Sequence, residues 1–378
     1  MRPGAVITRL LLASVLVSAG SLPLAETALA STQNIDPATS LQSVSCPLGS
    51  QLIMPQASTV MNDGWIRTQY EINGVQVGED VPPAGADLVH APDSVFEAHN
   101  METRGEQGAT ATEWQAEMTH FVQNRTIGMC WTKGTFAAPI YQPYPPSHNW
   151  GGDAVTPAPN STYRYSGVDA RFSQANPNVR SCLSTAWLVS WDGLGQPGSP
   201  LLQAGTVWQE SGGVFQGEHA FYEIVGGVKD TGGMIYLTNV PIGAGNTIDT
   251  QVYIPSLNPH LVEFTVWNVS TATSQMAYID YSPGYPPNGL YADYIDERAQ
   301  LGANYAQLPN YSMTSWTAMN VMRSNSTQWT PAYGEGGAIN ITMTSDDGLT
   351  TLSTAYQIGS MSTMSNLWKN CGLYEPAK

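Results

Sequence analysis

The stretch Pro200-Leu-Leu-Gln-Ala-Gly-Thr-Val-Trp-Gln-Glu210 sets one carboxamide, Gln203, among apolar, small or β-branched residues, the pattern of a half-buried strand. A buried amide without a partner costs roughly 1–3 kcal/mol, so Gln203 needs a structural partner or a substrate. Alternation puts it on a face with Leu201, Gly205 and Val207, and Gly205 predicts open space beside the amide. Two other strand-like runs carry carboxylates. In Tyr291–Glu297, Tyr291, Asp293, Ile295 and Glu297 share a face; in His219–Val225, Glu223 lies beside Phe221 and Val225. Such groups suit general acid–base chemistry with an amide as oxyanion donor. Each is equally readable as a satisfied strand residue.

The commoner catalytic signatures are missing. The chain has no GxSxG elbow, no HExxH and no P-loop, and its GxGxxG at Gly193–Gly198 leads into another strand-like run, not the helix a dinucleotide site needs. Its six histidines show no metal-ligand spacing, so no metal and no cofactor are expected. Cys46, Cys130, Cys182 and Cys371 lie far apart with no CxxC, which reads as two disulfides in an oxidising compartment. Of the three possible pairings, Cys46–Cys130 with Cys182–Cys371 keeps each bridge within one half of the chain.

The elements that must position these groups are short strands. From Ala186 onward, runs rich in Val, Ile, Tyr, Trp and Thr alternate with Gly, Pro and Asn turns, through Leu201–Trp208, His219–Val225, Met234–Leu237, Thr247–Ile254, His260–Val269, Met276–Tyr281, Tyr291–Glu297, Met313–Val321 and Ala338–Thr344. That series predicts an all-β protein, an antiparallel sandwich or barrel. Before it, residues 31–146 hold a hairpin around Trp65–Gly74 and one stretch of helical character near 102–117, and they end in the proline-rich Ile140–Ser147. Residues 1–30 read as a signal peptide, with Arg2 and Arg9 before an apolar run and Ala28-Leu29-Ala30 at its end. The expected product is secreted and monomeric.

Composition narrows the partners. The 378 residues carry 30 acidic against 14 basic side chains, a net charge of −16, with charged residues at only 12%. No basic patch is available to neutralise phosphates, which argues against nucleic acid or an anionic membrane. Once the carboxylates are protonated, few positive charges remain to repel one another, so the fold should tolerate acid.

Read in order, Ser147-His-Asn-Trp-Gly-Gly152, Ala186-Trp-Leu-Val-Ser-Trp-Asp-Gly193, Leu202-Gln-Ala-Gly205, Ala220-Phe-Tyr-Glu223, Ala292-Asp-Tyr-Ile-Asp-Glu297 and Pro309-Asn-Tyr-Ser-Met-Thr-Ser-Trp-Thr317 resemble the eqolisin family of glutamic peptidases. The family motifs NWGG, AWVGIDG, LQTG, AWYEW, AEWIVE and ADFGTVTFT occur in the same order. The resemblance implies a concanavalin-like jelly roll, an antiparallel β-sandwich over 147–378, that hydrolyses protein or peptide substrates. It implies Gln203 and Glu297 as the catalytic pair, with Glu223, Trp150, Trp187, Asp192 and Asp293 lining or supporting the cleft. An ordinary carboxylate base would give an acid endopeptidase working at about pH 2–5.

Departures from the motifs are local. Val207 stands where LQTGxD has aspartate, Ile224 where AWYEW has tryptophan, and Asp293 where AEWIVE has its first glutamate. The AWVGIDG match is one residue longer, which leaves Trp187 and Trp191 as alternatives for the cleft position. The family's pro-segment is basic, whereas residues 31–147 hold twelve acidic and four basic side chains, a net of −8. The segment is therefore either a pro-segment or an attached β-rich domain. Two other readings remain at this point: a glycoside hydrolase using Glu223 and Glu297, and a non-catalytic carbohydrate-binding sandwich.

Overall fold

The computed structural model describes residues 41–101, 103, 110–133, 146–177, 185–195, 199–302, 304–345, 347–358, 360–372 and 375–376. The expected leader, Cys182 and most of the proline-rich segment lie outside these residues. All described residues fall in one unit, Asn34–Lys378.

One sheet has nine strands: β1 (Gln51–Ile53), β2 (Met129–Trp131), β3 (Trp150–Thr156), β4 (Ala186–Gly195), β5 (Leu201–Ser211), β6 (Val214–Val225), β7 (Ile235–Pro241), β8 (Tyr291–Glu297) and β9 (Gly337–Ile341), in the spatial order β1-β2-β7-β6-β5-β4-β8-β3-β9. A second sheet of twelve strands centres on Tyr165–Ser173, Thr247–Tyr253, Leu261–Asn268 and Thr273–Asp280. The pairings within both sheets are antiparallel, and the two sheets pack face to face as the expected sandwich. Alternate residues of β5 and β6 (Leu202, Ala204, Ala220, Tyr222, Ile224) meet Val168, Phe172, Val252, Phe264 and Ile279 of the other sheet in one buried core. Tyr222 stacks on Phe264 at 4.9 Å between ring centres. Each such side chain withdrawn from water stabilises the sandwich by roughly 1.5–3 kcal/mol.

The N-terminal segment is built into both sheets. Val75–Val81 pairs with Thr273–Asp280, and Ile66–Ile72 and Ala57–Val60 continue the twelve-stranded sheet beyond it. On the other sheet, β2 pairs with β7 and β1 with β2. Tyr70, Ile72, Val75, Val77 and Met129 are buried in the same core as Tyr222 and Phe264. The Cys46–Cys130 disulfide forms as expected, and Cys371 is also disulfide-bonded.

Among its described residues the segment holds two helices, α1 (Asp93–Ala98) and α2 (Ala111–Gln123). Thr110 and Glu113 close a reciprocal capping box at the start of α2, and most of the expected helical stretch before Thr110 lies outside the described residues. Several strands escape sequence reading, β3 and Tyr165–Ser173 among them. In β3 the pair Gly151-Gly152 lowers β propensity, and in Tyr165–Ser173 Asp169 and Arg171 interrupt the apolar pattern although they alternate with buried Val168, Ala170 and Phe172.

Candidate active site

Strand alternation and register bring the candidate groups together on the face of the nine-stranded sheet that points away from the second sheet. Three rows of opposed residues cross β6, β5, β4, β8 and β3. The first is Glu223, Gln203, Gly193, Asp293 and Ala154; the second Phe221, Gly205, Trp191, Ile295 and Gly152; the third His219, Val207, Val189, Glu297 and Trp150. Apolar members of these rows form their own buried cluster, which includes Trp150, Val189, Trp191, Val207, Phe221 and Ile295.

Both oxygens of Glu297 are held. Asn149 Nδ2 donates to Oε1 at 3.0 Å and Trp191 Nε1 donates to Oε2 at 2.8 Å. Trp150 packs edge-on to Trp191 at 5.2 Å. Asn149 is fixed in turn by the turn at Ser147, whose hydroxyl accepts from the Trp150 amide at 3.2 Å, and by the Arg298 amide, which donates to the Asn149 carbonyl at 3.0 Å. Gln203 faces Glu223 directly across β5 and β6, and its Nε2 donates to Glu223 Oε2 at 3.0 Å. Its carbonyl oxygen is buried and has no hydrogen-bond partner.

The glycines of these rows serve close approach. A Cβ on Gly193 would lie 3.1 Å from Trp191 Cζ3, so the indole occupies the surface Gly193 leaves bare. One edge of that ring covers the row of Gln203 while its nitrogen reaches Glu297 in the third row. Gly205 differs from its expectation of open space. A Cβ there would meet the Ser190 carbonyl at 2.2 Å, so the residue permits close backbone packing rather than a void.

Burial sets the electrostatics. Glu297 is pushed up to about 7 by desolvation, against the hydrogen bonds from Trp191, Asn149 and Trp150. Glu223 is pushed up to about 8 by desolvation and then by the charge of Glu297, against its bond from Gln203. The two carboxyls are thus near enough to repel, and neither has the ordinary pKa expected from sequence. Neighbouring Asp296 turns to the inter-sheet side, where Ser190 Oγ at 2.6 Å, Asn366 Nδ2 at 3.0 Å and the Thr314 hydroxyl satisfy it.

Of the residues the sequence singles out, Gln203, Glu297, Glu223, Trp150, Asp293 and Trp187 share this face. Asp293 lies level with Gln203, one strand beyond Gly193, and is buried. Trp187 lies opposite Gln209, beyond the row of Glu297, and it is Trp191 that contacts the carboxylate. Asp192 requires correction. It sits between Trp191 and Gly193, so alternation turns it to the inter-sheet face, where it meets Thr250 of the second sheet. Burial raises its pKa well above the ordinary carboxylate range. Asn149 is the group sequence reading passed over, and Trp191 is the one of its two cleft alternatives that reaches Glu297. Asn149 stood beside Trp150 in the NWGG match, and Trp191 shares the parity of Gly193, but their bonds to Glu297 depend on register. Among the described residues, no group of three or more His, Cys, Asp and Glu is placed to hold a metal ion.

A β-sandwich with a buried amide and carboxylates on one sheet face is an arrangement suited to hydrolysis, and the comparisons assign its class. Residues 148–365 match the sequence profile of the Peptidase A4 family. The chain belongs to that family, the eqolisins, and is a glutamic peptidase. Similar solved structures include scytalido-glutamic peptidase with a transition state analog inhibitor, at 18% identity, covering 59% of this chain and 99% of that one with a TM-score of 0.44. Another is SCP-B, a member of the eqolisin family in complex with the tripeptide Ala-Ile-His, at 16% identity, 59% and 99% coverage and a TM-score of 0.44. Aspergilloglutamic peptidase from Aspergillus niger matches at 17% identity, 48% and 99% coverage and a TM-score of 0.38. No curated protein sequence matches the chain.

Proposed function

We propose that this peptidase is an endopeptidase whose catalytic pair is Gln203 and Glu297. The observation that carries the reading is the unequal satisfaction of the two groups: Glu297 is oriented through both oxygens, while Gln203 keeps a buried carbonyl oxygen without a partner on the same face. Ionised Glu297 takes a proton from the attacking water as the water oxygen bonds to the scissile carbonyl carbon. The Gln203 amide retains a second N–H beyond the one given to Glu223, and that N–H donates to the developing oxyanion. Its carbonyl oxygen accepts from the water. The C–N bond then breaks as Glu297-H returns the proton to the leaving amine. Glu223 and Asp293 are supporting groups, Glu223 by holding the carboxamide plane.

The raised pKa of Glu297 moves the working range upward from that of an ordinary carboxylate. The base is protonated in acid, so activity is expected to rise with pH until about 7. We further infer that the protein is exported, in line with its disulfide and its leader-like first thirty residues, and that residues 41–133 stay attached to the mature enzyme. Family membership favours peptide over sugar substrates for the Glu223 and Glu297 face. The test is hydrolysis of an unfolded protein, with an aspartic-protease inhibitor present, by Gln203→Ala and Glu297→Gln. Both variants are expected to stay folded and lose cleavage; full activity in either removes the pair from the mechanism.

A further inference from the structure

The catalytic face continues past the pair toward the N-terminal segment. His219 stands in the row of Glu297, opposite Val207, and its ring packs on Tyr236 at 5.0 Å between centres. Tyr236 pairs with Cys130, whose disulfide partner Cys46 lies in the loop facing β6 and β7. Between that loop and these strands is a cavity of about 210 Å³, lined among others by Cys46, Glu218, His219, Tyr236, Thr238 and Val240. It is several times the ~30 Å³ share of one water and smaller than the ~300–1,000 Å³ of a pocket for a whole small-molecule ligand. Its size suits one side chain.

Two polar atoms belonging to its lining residues, His219 Nε2 and Thr238 Oγ1, are buried without a hydrogen-bond partner. Buried polar groups in native proteins are nearly always paired, so a pair of orphans at one cavity points to a ligand that completes them. Its remaining wall combines apolar and aromatic groups with Ser45 and Glu218, and the disulfide fixes one side. Charge is kept out of it: burial pushes His219 down to about 4 and Glu218 up to about 7, so both are neutral between those values.

We propose that this cavity is a subsite of the peptidase, in which His219 and Thr238 hydrogen-bond an uncharged polar side chain of the substrate, a carboxamide or a hydroxyl. The proposal rests on the peptidase reading above. A cationic or anionic side chain would lose its hydration there with no counter-charge to replace it. The N-terminal segment then contributes to substrate choice, because the loop carrying Cys46 forms one wall.

The test uses the full-length enzyme and peptides of fixed sequence in which each position in turn carries Gln, Leu, Lys or Glu. At one position, kcat/KM for Gln is expected to exceed that for Leu by about tenfold, the size of one or two hydrogen bonds, with Lys and Glu disfavoured. In His219→Phe and in Thr238→Val that ratio is expected to fall toward one, chiefly through a lower kcat/KM for the Gln peptide. His219→Gln, which keeps hydrogen-bonding groups, is expected to retain much of the preference and guards against a folding defect in the Phe variant. An unchanged ratio in both Phe and Val variants, or no polar preference at any position, overturns the subsite and leaves the peptidase reading standing. No cleavage of any peptide by the unmodified protein overturns both.

Discussion

Among the described residues, two glutamate–glutamine pairs with both members buried are wired differently. At the seam between the N-terminal segment and the sandwich, Gln275 Nε2 donates to Glu79 Oε1 at 2.9 Å. There Tyr70 donates to Glu79 Oε2 at 3.3 Å, and the Gln275 carbonyl accepts from the Asn239 amide at 3.0 Å. On the catalytic face, Gln203 donates to Glu223 at 3.0 Å, yet its carbonyl has no partner. Burial raises both carboxyls, Glu79 to about 7 and Glu223 to about 8, so desolvation alone does not distinguish them. What distinguishes them is completion. The seam pair is a closed network that joins two parts of the fold, and the other leaves a group for something that arrives from outside.

The largest expected effect comes from removing the seam altogether. A chain beginning at Ser147 loses Tyr70, Ile72, Val75, Val77 and Met129 from the common core. At roughly 1.5–3 kcal/mol each, their loss is as large as the ~5–15 kcal/mol by which a domain is usually stable at all. No cooperative thermal unfolding is expected by circular dichroism; a normal melt would mean that the segment is a removable pro-segment after all.

Single replacements separate the pairs more finely. Glu297→Gln is expected to lower kcat/KM by about 10³, within the range for a general base, while the melting temperature holds. Gln275→Ala should do the opposite. It leaves Glu79 and the Asn239 amide short of partners, costing about 1–3 kcal/mol of stability in urea melts, with kcat/KM unchanged. Loss of activity in a fully stable Gln275→Ala would blur the distinction between the pairs.

The pH dependence of stability separates the two pairs least, because both carboxyls contribute with the same sign. Glu79, Glu117, Glu223 and Glu297 all have folded pKa values raised to about 7 or 8, chiefly by burial. The unfolded chain releases these protons near its ordinary value of about 4.3. Their contribution is therefore complete below that value and is lost as pH rises through about 7–8. The melting temperature is expected to fall from pH 4 to pH 8, and Glu79→Gln should flatten part of that slope. A flat profile would show that these carboxyls are solvated in the native state.

Much of the sandwich was legible because its strands advertise themselves. Tyr291–Glu297 matches its sequence-read limits, and Leu201–Ser211 extends the expected run by three residues. The strand at Trp150–Thr156 was hidden by its paired glycines, although the motif containing it had been noticed. Parity within one strand was also readable, which is why Gln203, Glu223, Asp293 and Glu297 could each be assigned a face. Register between strands was not. It determines that Val207, and not Gln203, lies level with Glu297, and that Trp191 bridges the difference. Motif matching carried Asp192 toward the cleft, but one step of alternation sends it to the other side. The proline-rich stretch marks a boundary and leaves the N-terminal segment as either a pro-segment or an attached β-rich domain; that its strands pair with partners far along the chain is not readable from sequence.

The most direct measurement compares Gln203→Ala with Gln275→Ala in kcat/KM on one unfolded protein substrate, with thermal melts of both. The expected result is a loss of about 10²–10³ in the first, typical of a missing oxyanion donor, with the smaller drop in melting temperature because only the bond to Glu223 is lost, and in the second an unchanged kcat/KM with the larger drop, because two bonds are lost. Gln203→Ala that cleaves as fast as the unmodified enzyme would contradict the assignment, and would make Gln203 a structural amide like its counterpart at the seam.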